Sequence, residues 1–151
     1  MTDAPATPQP FTIHQAIKAP PDRVFKAWTD PEHISRWFVP VDGWTAPIDL
    51  ISVDARPGGM WRVSMVDDSG EAYPAVFHYR EISKPNRIVF TTGAPDQDPN
   101  DPAIHVATVT IEARDGGSEM TYQGMTSDPD QSEVAGWKVM FERMADQLAS
   151  G

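Results

Sequence analysis

The stretch WTDPEHISRWF (28–38) sets His33 beside Asp30, Glu32 and Arg36, between large aromatic residues. A histidine near carboxylates is the usual equipment of acid–base catalysis, so this is the first place to look for chemistry. The remaining histidines are His14, His78 and His105. No two of the four have the spacing of a helical zinc motif, and H-E-x-x-H is absent. The segment DQDPND (96–101) alternates acids like the first half of a calcium loop. However, Asp101 stands where that loop requires glycine and Ala107 where it requires glutamate. Neither a G-x-S-x-G elbow nor a phosphate-cradling or dinucleotide loop occurs, and Gly58-Gly59 reads as a bend leading into a strand. With no cysteine in the chain, thiolate nucleophiles and Cys-ligated zinc are excluded. No metal, cofactor or catalytic constellation is expected.

The elements that hold these residues explain the opening stretch. Phe11, Ile13 and Ile17 alternate as a strand, and Pro20-Pro21 ends it. PDRVFKAW places Val24, Phe25 and Trp28 at helical spacing. Asp30-Pro31 then caps a second short helix carrying Ile34, Trp37 and Phe38. His33 falls in the first turn of that helix and reads as a solvent-facing residue, with Trp28 in the core. Strands are expected near 47–55, 60–66, 72–82, 86–92, 104–113 and 118–126. DDSG (67–70) and RDGGS (114–118) supply hairpin turns, and 93–103 forms an acidic, proline-rich loop. Asp128-Pro129 opens the last helix, where Val134, Trp137, Phe141, Met144 and Leu148 recur at steps of three and four with Met140 beside them. Residues 1–10 read as a tail and 11–149 as one domain. The layout is α+β, with helices segregated from an antiparallel sheet.

Twenty-two acids against 12 bases give a net charge of −10. Such a surface repels a phosphate backbone and an anionic membrane alike, and no basic cluster makes a local exception. The N-terminus lacks the basic and apolar regions of a signal peptide, and no apolar run nears the roughly 18 residues of a membrane span. A cytoplasmic protein with no nucleic-acid or membrane partner is expected; its oligomeric state is not legible.

As a set, APPDRVFKAWTDPEHISRWFVP (19–40), RPGGMWRVSM (56–65), YREISKPNRIVFTT (79–92), VTIEARDGGSEMTYQG (109–124) and GWKVMFERMADQL (136–148) resemble the bacterial relatives of the C-terminal domain of the Hsp90 ATPase activator, within the START/Bet v 1-like superfamily. The resemblance implies a helix-grip fold: a curved antiparallel sheet wrapped around the long C-terminal helix, with two short helices after the first strand. It also implies a hydrophobic cavity between sheet and helix. The residues expected to line it are Trp37, Phe38, Trp61, Arg62, Phe77, Tyr79, Trp137, Met140, Phe141 and Met144. Arg62, His78, Tyr79, Thr91, His105 and Tyr122 form the pool of polar groups, and burial of apolar area favours Phe77 and Tyr79 facing the helix. Three functions follow in order: binding of a hydrophobic small molecule, a cyclase-, aromatase- or hydrolase-type enzyme using a cavity Arg, His or Tyr, and an Hsp90-linked interaction module. The last is weakened because the resemblance does not extend to the separate domain by which the eukaryotic activator contacts the chaperone.

Overall fold

A computed structural model describes residues 8–39, 41–92, 96–126 and 132–149. Strand β1 (Gln9–Ile17) leads into helices α1 (Pro21–Thr29) and α2 (Pro31–Trp37), a 3-10 turn (Ile48–Leu50) and the two-residue strand β2 (Ser52–Val53). Strands β3 (Met60–Val66), β4 (Ala72–Ser83), β5 (Arg87–Thr91), β6 (Val106–Arg114) and β7 (Gly117–Thr126) follow, and helix α3 (Ser132–Ala149) closes the chain. The strands form one antiparallel sheet in the order β1-β7-β6-β5-β4-β3-β2, curved around α3 in a helix-grip arrangement. No helix among the described residues is long and apolar enough to cross a membrane.

The short helices form where the prolines allow. Pro21 occupies the first turn of α1, where its missing N–H loses nothing. Asp30 ends α1 and caps α2, accepting the Glu32 N–H at 2.9 Å. The strand expected over 47–55 is instead the 3-10 turn plus β2. Pro47 brings no N–H to a ladder, and its carbonyl accepts from Leu50 N at 3.0 Å, which curls the chain. At the other end of the sheet, β1 starts two residues earlier than expected, with Gln9 and Pro10 paired to Thr126 and Met125. An edge strand tolerates this proline because one side of its backbone has no neighbour. The rest of the expected tail, and the Asp128-Pro129 cap, lie outside the described residues.

Strand parity divides the sheet into two faces. Ile13, Tyr122, Val109, Ile88, Phe90, Phe77 and Trp61 point inward in register, and all are buried. The apolar stripe of α3 (Val134, Trp137, Met140, Phe141, Met144, Leu148) is buried with them. Polar contacts fix the C-terminal half of α3 to the α2 region. Arg143 pairs with Asp42 at 2.6 Å, and Gln147 Nε2 lies 3.3 Å from His33 Nδ1. His33 is therefore half-buried against α3 rather than facing solvent. Gly58-Gly59 is the expected bend: Gly58 has φ +85°, and a Cβ on Gly59 would stand 2.2 Å from the Asp54 carbonyl oxygen.

The β3–β4 hairpin is closed by one carboxylate. Asp67 accepts the Ser69 hydroxyl (2.7 Å), the Ser69 and Glu71 N–H groups (2.9 Å each) and the Tyr73 hydroxyl (2.9 Å). Led by the Ser69 hydroxyl, these bonds favour the charged form and lower its pKa from 3.8 to about 2. The same carboxylate, as the main cause, holds the Tyr73 phenol up at about 12. Because the folded pKa is depressed, the stability this group contributes is present above pH 3.8 and is lost as pH falls through about 2. Carboxyl carbon-13 titration should give Asp67 a midpoint near 2. A midpoint at the ordinary 3.8 means the turn is not closed this way in solution.

Candidate functional site

Nine of the ten residues expected to line an interior do point into one. Trp37, from the end of α2, is fully buried and donates its indole N–H to the Ala27 carbonyl at 2.8 Å. Phe38 follows it inward, with ring centroids 5.6 Å from Trp61, 6.1 Å from Phe77 and 5.8 Å from Trp137. Trp61 and Phe77 are cross-strand partners and stack at 4.1 Å. From the helix, Trp137 stacks on Tyr122 at 4.8 Å, while Met140, Phe141 and Met144 are buried beside it. Arg62 is the exception. Its neighbours Trp61 and Val63 take the inward positions, so Arg62 is exposed on the outer face.

The other polar candidates separate in the same way. Tyr79 and Tyr122 lie inside, His78 and Thr91 lie towards the outer face, and His105 is half-buried just before β6. Among the described residues no three His, Cys, Asp or Glu side chains converge as metal ligands.

The middle of the interior is occupied by the protein itself. Trp28 lies at its centre, 4.9 Å from Trp37, 5.7 Å from Phe141, 5.9 Å from Phe90, and 6.3–6.4 Å from Trp61, Tyr122 and Trp137. Its indole N–H points at the Met120 sulfur, 3.1 Å away. Sequence spacing identifies Trp28 as core but gives no sign that the other rings gather around it.

Two polar atoms break the apolar pattern. The Tyr79 hydroxyl and the Thr92 hydroxyl are both buried without a hydrogen-bond partner among the described residues. Tyr79 is only 3% exposed, and its register partner Phe90 is fully buried on the inner face. Burial, then the charge of Asp54, pushes the Tyr79 phenol well above its ordinary range. Burial, then Glu133, does the same to Tyr122. Both phenols are therefore neutral hydrogen-bond donors near pH 7 and are poorly suited to act as bases. Thr92 is not among the candidates that the sequence offers. It lies two residues beyond Phe90, and the parity of β5 is the signal that would have placed it inward.

With this geometry in hand, comparison with known proteins is decisive for the family. The model of the family described as Activator of Hsp90 ATPase homolog 1-like protein matches residues 18–150. The chain belongs to this family. Solved structures with the same fold include the AHSA1-like protein from Aeromonas hydrophila, at 20% identity and a TM-score of 0.79, covering 94% of this chain and 93% of that one. A protein from Chromobacterium violaceum follows at 22% identity and 0.77, covering 92% and 96% respectively. The AHSA1 protein from Silicibacter pomeroyi gives 22% and 0.76, covering 93% and 98%. No curated protein matches the chain. The family assignment accounts for the helix-grip layout, and at these identities the solved structures establish the fold alone.

Two substitutions separate packing from the unpaired hydroxyl. Trp28→Ala should destabilise the fold by about 3–5 kcal/mol in urea unfolding, because the rings around it cannot close the void. Tyr79→Phe should be neutral or stabilise by up to about 1–2 kcal/mol, since it removes a buried donor that has no partner to lose. A loss above about 1 kcal/mol in Tyr79→Phe would show that the hydroxyl is satisfied in solution.

Proposed function

We propose that this protein binds an uncharged, apolar or aromatic small molecule between the inner sheet face and α3, and that an acceptor oxygen on that molecule takes the Tyr79 hydroxyl. The observation that carries the reading is the Tyr79 O–H itself, a buried donor without a partner among the described residues. Leaving such a group unpaired costs about 1–3 kcal/mol, which a ligand carbonyl or ether oxygen would recover. The surroundings favour an apolar body, because Phe38, Phe77 and Trp137 gather within ring-contact distance on the same side of the sheet. Met140 and Met144 on the facing helix have flexible, polarisable side chains that adapt to ligand shape. Family membership supports the same reading, as helix-grip proteins commonly hold hydrophobic ligands in this space.

The site works by binding and orientation rather than by proton transfer. An enzymatic role has less support, since Arg62 and His78 lie away from the interior and Tyr79 is held neutral. A chaperone link rests on the family's description alone.

The test is a titration of nitrogen-15-labelled protein with Nile red and a panel of neutral flavonoids. Saturable amide shifts are expected over 134–148 and in β3–β5. Tyr79→Phe should weaken carbonyl-bearing ligands by about fivefold to tenfold, the worth of one buried hydrogen bond. No saturable shift with any probe, or equal affinity in the variant, overturns the proposal.

A further inference from the structure

The outer face of the sheet carries a second feature, independent of the interior. Strand β4 contains one extra residue between Tyr79 and Glu81, where its register with β5 slips. Pro99 and Asn100, from the segment between β5 and β6, lie against this bulge. A cleft of about 260 Å³ lies here, lined by Gly58, His78, Tyr79, Arg80, Thr91, Pro99 and Asn100. At about 30 Å³ per water this holds the equivalent of about nine waters, room for a small head group and less than the roughly 300 Å³ and more of a drug-sized ligand site.

The chemistry of the lining is one-sided. Arg80 donates one N–H to the Pro99 carbonyl at 2.9 Å, which anchors the guanidinium against the loop. It makes no ion pair among the described residues, so the remaining N–H groups are available as a fork. By contrast, Arg56, Arg87, Arg114 and Arg143 are all paired with carboxylates. Thr91 is 1% exposed, and its hydroxyl oxygen accepts the His78 backbone N–H at 3.1 Å. That bond uses a lone pair and leaves the hydroxyl hydrogen to donate. The His78 ring is half-buried and makes no hydrogen bond among the described residues. None of the lining residues is acidic. Of the nearby carboxylates, Asp54 is paired with Arg56, Asp98 accepts Asn100 N, Asp101 accepts Ala103 N and Gln97 Nε2, and Asp96 is exposed to solvent.

We propose that this cleft binds an oxyanion, the carboxylate or phosphate group of a small molecule, gripped by Arg80 and the Thr91 hydroxyl at the β4 bulge. Both groups present acceptor oxygens that a guanidinium fork meets in pairs, and such charge-assisted bonds are the strong class. A net charge of −10 works against a large polyanion. A single small anion reaches donors that are fixed before it arrives.

The full chain, labelled with nitrogen-15, is titrated in separate arms with sodium acetate and inorganic phosphate at constant ionic strength set by chloride. Saturable shifts are expected at the amides of 78–80 and 99–101, and the arm that saturates identifies the group. Arg80→Gln should weaken binding by about tenfold or more, as expected for losing a charged hydrogen-bonding partner. Arg36→Gln, which removes an equal charge from an exposed site on α2, should leave it unchanged. Linear shifts in both arms, or the same loss in the two variants, overturn the proposal. The amides of 134–148, which report the interior ligand, should not move, so either site can fail without the other.

Discussion

The indole of Trp28 has to be dry on every side, and the rest of the architecture is arranged to keep it so. Helix α1 delivers it, the sheet supplies Trp61, Phe90 and Tyr122, and α3 supplies Trp137 and Phe141. Its single N–H cannot reach water and finds the Met120 sulfur, a weak acceptor that is itself fully buried. The rings meet at a mixture of stacked and edge-on angles, which suits their quadrupoles and spreads the contact in three dimensions. An element that moves must disturb several of these contacts together, so the two short helices, the sheet and α3 are coupled through one side chain.

That packing also determines where binding is possible. The centre of the grip is occupied, and the proposed interior ligand is accordingly assigned to the side bounded by Phe38, Phe77 and Trp137, where the Tyr79 hydroxyl lies on the neighbouring inward position of β4. The β4 bulge serves both faces. It preserves inward parity on either side of the slip, with Tyr79 opposite Phe90 and Ile82 opposite Ile88, while pushing Arg80 out towards the Pro99 loop. One inserted residue thus separates an apolar inner face from a donor-rich outer cleft.

Much of this was legible in the residues. The Asp30-Pro31 restart, the hairpins and the α3 stripe follow from capping and periodicity, and burial of the largest apolar area places Phe77 and Tyr79 inward correctly. Residues 47–55 misled because their apolar alternation imitates a strand, while Pro47 initiates a 3-10 turn instead. The chemistry of Arg62 points to the site, but its position next to Trp61 sends it outward. The β4 bulge has no signature in composition or period, so neither Arg80 nor the buried Thr91 hydroxyl could be paired with Pro99 or His78 in advance. Such long-range pairings are decided by register, and register is set by the whole sheet.

The five tryptophans divide into two optical populations. Trp28, Trp37, Trp61 and Trp137 are buried in one aromatic cluster, whereas Trp44 is half-buried and stacked on Tyr73 at 5.0 Å beside the Asp67 turn. Indole emission follows the polarity around the ring, so burial alone should set the cluster to the blue of Trp44. A blue component would then report on the grip interior and a red one on the β3–β4 hairpin.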